Sequence, residues 1–336
     1  MFCGKKAPAE ESPSEGKIVI EDQLGRTIEF DQAPTRTATT IMPFPSIYFT
    51  VAGSAERLVG MNPSSLVAYN NSTLKYLSPE MAQVSTDFVD TSFIVNVEEA
   101  LKLKPDVVFQ WTYMPEEIEK MEAAGLKVIA LKYGSLEDLQ TWIRIIGKLV
   151  EREERAEEII TLFNENIAET DAIMEKLPKE DYVSMIQLTA DLTVAGTGFS
   201  NFWIDKSGSV NPGKDLEGDD RKIDMEQVLQ WNPQVIYIGN FTDIMPADLL
   251  ENKLAGQDWS LVDAVKNKRV YKIPIGSYRW DPPCVETPLM VKWMAQKNHP
   301  ELLADMDMKQ EVRDFYKEIY EFDITDAMID EILGNQ

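Results

Sequence analysis

Apolar residues along this chain alternate between the two-residue spacing of strands and the 3.6-residue spacing of helices. After two extended segments around a turn at Gly25, short apolar runs predict strands over residues 37–42, 106–110 and 127–131, and helical spacing predicts helices over residues 46–52, 97–103 and 115–124. Strand and helix therefore follow one another in turn. This order is typical of βαβ units and predicts a mainly parallel sheet.

The second half of the chain repeats the plan of the first. The sequence NVEEALKLKPDVVF begins at residue 96 and DMEQVLQWNPQVIY begins at residue 224, so the offset is 224 minus 96, or 128, without a gap. Each copy has a glutamate in third place (Glu98, Glu226), an apolar helix face (Leu101, Leu229), a proline and a strand. A repeat separated by a domain length predicts two similar α/β lobes.

A long helical segment lies between the two copies. Ser135 followed by Asp138 resembles a capping box, and apolar residues recur at helical spacing from residue 153 to residue 177. This predicts one helix of about 25 residues and roughly 38 Å. The predicted fold class is α/β, with two Rossmann-like lobes of mainly parallel sheets joined by one long α-helix. The predicted boundaries are 17–134 for the first lobe, 135–178 for the linking segment and 179–336 for the second lobe.

The charge of the chain narrows the classes of partner. There are 33 Lys and Arg against 57 Asp and Glu, a formal charge of -24, which would repel phosphate backbones and anionic lipid headgroups. The 336 residues, 44% of them hydrophobic, can bury a real core, yet no window approaches the roughly 18 consecutive apolar residues of a membrane helix. We therefore expect neither nucleic acid nor the bilayer interior as a partner.

The first sixteen residues have almost nothing to bury. Met1-Phe2-Cys3-Gly4 is followed by KKAPAEESPSEG, which predicts a solvated tether over residues 1–16. A Cys followed by Gly and such a tether resembles the mature end of a bacterial lipoprotein, in which Cys3 would be acylated. An unmodified surface cysteine is the alternative interpretation.

The order of several loose motifs carries a family resemblance over residues 17–333. The motifs are IEDQLGRTIEF with APTRTATT, the two repeat copies, MEAAGLKVIAL, and WSLVDAVKNKRVYKIPIGSYRW with TPLMVKWMAQKNHPE. Together they resemble the substrate-binding proteins of ABC importers for iron complexes, haem or corrinoids. The resemblance implies an extracytoplasmic monomer, lipid-anchored to the cell membrane, without catalysis, that delivers its solute to a permease dimer.

In that family an acidic residue on the outer surface of each lobe meets arginines of the two permease subunits. The resemblance carries this docking role to Glu98 and Glu226. Charge complementarity of this kind favours encounter and register. The alternative is structural, because a glutamate in the first turn of a helix is favoured by the helix dipole.

The resemblance also places the ligand between the lobes, on loops at strand ends. The candidate contacts are Met42, Phe44, Pro45, Tyr48, Thr86, Asp87, Trp111, Tyr113, Thr197, Asn201, Tyr278, Arg279 and Trp280. Aromatic rings suit a large flat or catechol-rich ligand, and Arg279 could pair with a carboxylate or phosphate. Any one of these rings is also a natural core residue.

Among the solutes that the resemblance implies, the choice is narrowed by what the chain lacks. One His and two Cys are too few for a bare zinc or manganese site, so we expect no metal site built by the protein and no resident cofactor. A preassembled metal chelate, such as a ferric siderophore, corrinoid or haem, remains the predicted solute. The competing class is an extracellular hydrolase that would use two cleft carboxylates, for example Asp87 with Asp281, as general acid and base.

Overall fold

The computed structural model describes residues 17–218 and 220–334. The strands are β1 (Ile18–Glu21), β2 (Thr27–Phe30), β3 (Thr37–Thr39), β4 (Leu58–Gly60), β5 (Val107–Trp111), β6 (Val128–Leu131), β7 (Val183–Ala190), β8 (Thr193–Val194), β9 (Ser209–Val210), β10 (Arg221–Lys222), β11 (Val235–Ile238) and β12 (Val270–Lys272). The helices are α1 (Phe44–Ala52), α2 (Pro63–Asn70), α3 (Leu74–Leu77), α4 (Val97–Leu103), α5 (Pro115–Ala123), α6 (Leu136–Leu149), α7 (Glu153–Met174), α8 (Ser200–Lys206), α9 (Met225–Trp231), α10 (Pro246–Leu250), α11 (Asp263–Lys266), α12 (Thr287–Asn298), α13 (Met308–Tyr320) and α14 (Asp326–Leu333). None of these helices is long and apolar enough to cross a membrane.

The first lobe is built on a four-stranded sheet with the order β4-β3-β5-β6, and every pairing in it is parallel. The central strand β5 is buried along its whole length, because helices cover both faces of such a sheet. A separate antiparallel hairpin, β1 with β2, precedes it, and Gly25 in the connecting turn has a φ of 74°. The predicted extended segments and parallel sheet are confirmed.

The second lobe has a mixed sheet with the order β10-β8-β7-β11-β12. Strands β7, β11 and β12 are parallel, β9 pairs in parallel with β7, and the short strands β8 and β10 are antiparallel. The parallel core matches the prediction, and the antiparallel edge adds to it. Two α/β lobes are therefore present.

The repeat is visible in the backbone. Helices α4 and α9 start and stop at the same offset of 128, with the N-cap side chains Asn96 and Asp224 accepting backbone hydrogen bonds from the first turn. Both helices end on a left-handed residue, Lys104 with φ 49° and Asn232 with φ 42°. Because caps of the same kind fix both ends, the two sequence copies fold into the same helix–strand unit.

The repeat also holds a correction. Leu101 and Leu229, expected on the apolar face of each helix, are 44% and 40% exposed. The buried anchors of the two helices are Ala100 in α4 and Val228 in α9. Each seven-residue helix has room for few inward side chains, so the leucine one position further on points outward.

The linking segment contains two helices. The predicted capping box is present at the start of α6, where the side chains of Ser135 and Asp138 each accept a hydrogen bond from the backbone nitrogen of the other residue. The long helix α7 has 22 residues, which is about 33 Å and three residues shorter than predicted. It packs against α1 and α6 on one side and against α8 and α12 of the second lobe on the other. The long helix therefore joins the lobes, as the sequence indicated.

The end of the chain returns to the first lobe. The hydroxyls of Thr73 and Tyr316 lie 2.6 Å apart, and Lys75 pairs with Glu331 at 2.9 Å. Helices α13 and α14, which the sequence assigned to the second lobe, thus also brace the first. The lobes are held together by these helices as well as by α7.

Candidate functional site

A pocket of about 200 Å³ opens between the lobes. The first lobe contributes Tyr133, two residues beyond β6, and the second lobe contributes Gln187, Thr189, Ala195, Phe199, Ser200, Asp220, Phe241, Asp281 and Pro282. Many of these residues lie at or just beyond the carboxyl ends of parallel strands. Such ends are where open α/β sheets bind ligands.

The floor of the pocket is polar and belongs to the second lobe. The carboxylate of Asp281 accepts hydrogen bonds from the backbone nitrogen of Asn240 (2.9 Å) and from its side-chain amide (3.3 Å). Gly239 makes this approach possible, because a Cβ at that position would lie 2.9 Å from Asp281 Oδ2. Burial raises the pKa of Asp281, although the hydrogen bonds from Asn240 oppose the shift.

A buried lysine fixes the loop that follows β11. Lys272 Nζ donates to the carbonyl oxygens of Gly239 (2.9 Å), Thr242 (2.7 Å) and Ile244 (3.0 Å). Burial lowers the pKa of this ammonium group. Three carbonyl acceptors on one donor group set the course of the backbone that carries Phe241 to the pocket rim.

The wall contributed by the first lobe is aromatic. Trp111 stacks on Tyr113 with ring centroids 5.5 Å apart and an interplanar angle of 17°, and it meets Tyr133 edge-on at 5.7 Å. Phe93 and Trp142 touch the same indole at 6.0 and 5.6 Å. The cluster is contiguous with the pocket through Tyr133.

Two of the cleft aromatics are exposed at equivalent places in the repeat. Tyr113 is 56% exposed and Phe241 is 54% exposed, and 241 minus 113 is again 128. Single exposed rings are common on protein surfaces, so what sets this pair apart is its equivalent placement in the two lobes. Each lobe thus offers one uncovered aromatic face beside its strand end.

Arg279 lies against the second of these rings. Its guanidinium carbon is 4.5 Å from the centre of the Phe241 ring and 5.7 Å from that of Tyr278. Its Nη1 atom is buried without a hydrogen-bond partner, as are Trp111 Nε1, Gln187 Oε1 and Asn240 Oδ1.

Some predicted contacts belong to the core instead. Phe44 and Trp280 have no exposed surface and Tyr48 has 2%, so their rings pack inside the protein and present no face that a ligand could reach. Phe44 packs on Phe109 with centroids 4.2 Å apart. The reason is position: Phe44 and Tyr48 lie in α1, which is buried on nearly every residue.

Other predicted residues border the cleft or lie outside the pocket lining. The Thr197 hydroxyl accepts from the backbone nitrogen of Gly218, and the Asn201 amide donates to the carbonyl of Gly196, so both hold the loop before α8. Phe199 and Ser200, which lie between them in the sequence, line the pocket.

The remaining predicted contacts do not line the pocket. Pro45 is buried in α1, and Met42 is half-buried. Thr86 is half-buried and Asp87 is exposed, and neither lines the pocket. Tyr278 is buried beside Arg279.

The residues that sequence reasoning missed left usable signals. Phe241 follows from Tyr113 by adding the repeat offset of 128. Tyr133 stands two residues beyond the end of β6, as Tyr113 stands two residues beyond the end of β5. Gln187 had no signal, since it is a polar residue within an otherwise apolar strand and only the fold brings it under the cleft.

A larger concavity of about 890 Å³ lies at the turn between α6 and α7. Among the described residues, its lining consists of charged side chains and contains no aromatic ring. Two of its arginines already serve the backbone: Arg152 donates to the carbonyl of Ala52, and Arg155 donates to that of Ile319. Ala52 is the last residue of α1 and Ile319 is the last but one of α13, so the arginines cap helix ends. We assign this concavity a structural role.

The two predicted docking glutamates are exposed, as expected for surface residues. Glu98 and Glu226 lie in the first turns of α4 and α9. Neither carboxylate takes part in an ion pair within residues 17–218 and 220–334. Cys3 lies outside the described residues.

Comparison with known proteins gives the family. Residues 55–275 match the family model described as periplasmic binding protein. The chain belongs to the periplasmic binding protein family. It is similar to a periplasmic solute binding protein from Veillonella parvula DSM 2008, with 39% identity, a TM-score of 0.88 and coverage of 95% of this chain and 97% of that one.

Two curated relatives are more distant. The molybdate-binding protein MolA of Haemophilus influenzae is 25% identical over 67% of this chain and 70% of its own length. The uncharacterized ABC transporter substrate-binding lipoprotein YvrC of Bacillus subtilis is 22% identical over 81% of this chain and 85% of its own length. Relatives of this periplasmic binding protein are thus solute-binding components of ABC transporters and not enzymes.

The family of the chain excludes the hydrolase alternative. The proposed acid–base pair also lacks a shared site, because Asp281 lines the pocket whereas Asp87 does not. The carboxylate of Asp281 is already engaged by Asn240. The protein binds a solute and delivers it to a transporter.

Proposed function

We propose that this periplasmic binding protein captures a metal chelate, such as a ferric siderophore, in the cleft between its lobes. The observation that carries the proposal is the pair of exposed rings, Tyr113 and Phe241, on opposite lobes at equivalent places in the repeat. Rings of this kind supply contact area and stacking for a flat or catechol-rich surface. A chelate brings its own metal ligands, so the absence of a metal-ligating cluster within the described residues is compatible with it.

The charge of the pocket bears on the competing solute class. Asp220 and Asp281 both line the pocket, and the half-buried Arg279, whose charge lowers the pKa of Asp281, rests on the Phe241 ring at the pocket rim. Two carboxylates disfavour a small bare oxyanion, which is the kind of solute named for the molybdate-binding relative. They favour a solute that carries a metal cation or hydrogen-bond donors.

The size of the pocket sets how a chelate would sit. About 200 Å³ is below the roughly 300–1,000 Å³ that is usual for small-molecule sites. Only part of a chelate would enter the pocket, and the rest would lie on the faces of Tyr113 and Phe241. A very large solute such as a corrinoid would need the lobes to separate further.

Titration of the purified protein with defined solutes tests the proposal. The panel is a ferric tricatecholate, haem, cyanocobalamin, nickel–histidine, molybdate and ferric ion alone, followed by tryptophan fluorescence because Trp111 lies beneath Tyr113. We expect stoichiometric quenching by a chelate and none by molybdate or free ferric ion. Tight binding of molybdate alone would overturn the chelate proposal and leave the solute-binding role intact.

Docking on the permease is the second part of the proposal. Glu98 with Leu101 and Glu226 with Leu229 form two equivalent patches, each an exposed carboxylate with an exposed leucine one turn later. Such a patch suits a permease surface with a basic group beside an apolar one, and two copies suit a permease with two-fold symmetry.

Charge reversal tests this docking role. Glu98→Arg and Glu226→Arg should leave chelate affinity within about twofold and abolish import in a reconstituted transporter. Glu116→Arg, which changes another exposed first-turn glutamate, is the matched control and should import normally. Loss of chelate binding in either docking variant, or equal failure of the control, would contradict the role.

Lipid anchoring at Cys3 is the third part. The Cys-Gly pair followed by a solvated tether supports it, and the similar protein of Bacillus subtilis is described as a lipoprotein. Mass spectrometry of protein extracted from the native membrane should show a diacylglyceryl mass on Cys3. An unmodified thiol there would end this part of the proposal.

A further inference from the structure

Glu286 is a fully buried carboxylate that the cleft itself does not use. It is the N-cap residue of α12, yet its side chain makes no capping hydrogen bond. No Lys or Arg within the described residues forms an ion pair with it. A buried charge without a cation is costly, so its contacts need a reason.

The carboxylate fills the inside of a tight turn. Both of its oxygens accept from the backbone nitrogen of Ser277, at 3.0 and 2.8 Å, and Oε2 also accepts from Trp280 Nε1 at 3.1 Å. Ile275 and Arg279 pair across this turn in an antiparallel bridge. At Gly276 a Cβ would lie 2.3 to 2.5 Å from the carboxylate, so only glycine allows the close approach.

The turn carries Arg279 to the cleft. Arg279 has no ion-pair partner in the part of the chain that the structure describes, and its guanidinium rests on Phe241 at 4.5 Å. The place of this side chain therefore depends on the backbone of the turn from which it projects, together with its contacts to Phe241 and Tyr278 and its attraction to Asp281. Glu286 is what holds that backbone from within.

A second set of contacts ties the same turn to the first lobe. The backbone nitrogen of Thr73 donates to the carbonyl of Gly276 at 2.8 Å, and the Thr73 hydroxyl is 2.6 Å from that of Tyr316. The Ser277 hydroxyl is 2.7 Å from that of Tyr320. The Tyr316 hydroxyl also favours the ionised form of Glu286, against the burial that raises the pKa of this carboxyl.

We propose that Glu286 is a positioning residue, which locks the turn from Ile275 to Arg279 so that the Arg279 guanidinium stays beside Phe241 and can donate to an acceptor on the bound chelate. The ligand part of this inference rests on the proposed function. The position of Arg279 does not, because it can be measured without any ligand.

Ligand-free NMR tests the position first. Glu286→Gln keeps the size of the side chain but turns one acceptor into a donor that faces Ser277 N–H. We expect exchange of the Ser277 amide to accelerate at least tenfold, the Trp280 indole proton to move upfield, and Arg279 Nε–H to lose the ring-current shift from Phe241. Unchanged Arg279 and Ser277 signals in a folded variant would overturn the inference.

Two further variants keep the test decisive. Asn298→Ala removes another buried polar side chain of α12, one bonded to Tyr237 and Ser207, and should leave the three signals unchanged. If Glu286→Gln does not fold, Tyr316→Phe removes a single hydroxyl from the network and should produce smaller changes of the same sign. No change in Tyr316→Phe would then overturn the role of the network.

A double-mutant cycle with the ferric tricatecholate tests the ligand part. Glu286→Gln and Arg279→Gln should each weaken binding about tenfold, and the double variant should be no weaker than Arg279→Gln alone, because one residue acts through the other. A double effect near a hundredfold would show independent roles and overturn the inference. Failure of the parent protein to bind this chelate would count against the proposed function, while the NMR result would still decide the positioning role.

Discussion

The two lobes share a scaffold and differ at one strand end. Trp111 at the end of β5 and Gly239 just after β11 are 128 residues apart and occupy the same place in the repeat. In the first lobe the indole contacts four other aromatic side chains, whereas in the second the missing side chain leaves room for Asp281 and Gln187. One residue type therefore decides whether a lobe presents an apolar wall or a polar floor.

Apart from this difference, the two copies of the repeated unit share most of their features. The caps, the exposed glutamate and the exposed leucine are retained in both copies, and so is the exposed ring, Tyr113 in one and Phe241 in the other. The outer surfaces of the two lobes are therefore alike. The inner surfaces differ, because aromatic rings surround Trp111 in the first lobe whereas Asp281 and Gln187 lie beside Gly239 in the second.

The largest effect should come from removing the ring that distinguishes the first lobe. Trp111 is 3% exposed, so Trp111→Ala should cost about 3–5 kcal/mol of unfolding free energy. Chemical denaturation measures it, with Tyr113→Ala as a control that loses far less because its ring is half exposed. A denaturation curve equal to that of the parent would mean that the indole is not a packing residue.

The exposed rings should matter for affinity and little for stability. Tyr113→Ala and Phe241→Ala should each weaken binding of the ferric tricatecholate by about 2 kcal/mol, roughly thirtyfold, because a covered aromatic is a typical hot spot. Tyr76→Ala changes another exposed tyrosine, outside the cleft, and should bind normally. Loss of affinity in only one of the two cleft variants would show that the lobes contribute unequally.

The buried carboxyl group of Asp281 should make the unfolding free energy depend on pH. Burial raises the pKa of Asp281, so folding favours the protonated carboxyl, and stability is lost as pH rises from the unfolded value near 3.8 through the folded one. The unfolding free energy of Asp281→Asn minus that of the parent should therefore increase with pH. Glu286 is buried in both proteins and cancels in this difference. A difference that is flat or falls with pH would contradict the assignment.

The smallest effect should be found on the outer patches. Leu101→Asn and Leu229→Asn replace exposed side chains and should each change the unfolding free energy by less than about 0.5 kcal/mol and leave chelate affinity unaltered. If the patches are equivalent, the two variants should reduce docking on the permease equally. A large loss of stability in either one would place that leucine in the core of its lobe, as the sequence pattern first suggested.

Local patterns were enough for the units of this fold. Helix spacing, the Ser135 capping box and the 128-residue offset depend on neighbours within about one turn or one strand, and each is present in the structure. The bounds moved by a few residues, as for α7, which ends three residues before the predicted end. Residues on strand ends were predicted as a class; the structure exposes Tyr113 and buries Trp111, and their contact with a solute stays a prediction.

What the sequence by itself determined is the α/β class, the pair of lobes and the long helix between them, since these follow from periodicity and repetition along the chain. Only the tertiary structure decided which side chains face the cleft. Trp280 and Arg279 are neighbours in sequence, yet the first points to Glu286 in the core and the second to Phe241 at the pocket. That choice depends on contacts between residues far apart along the chain, which no local pattern encodes.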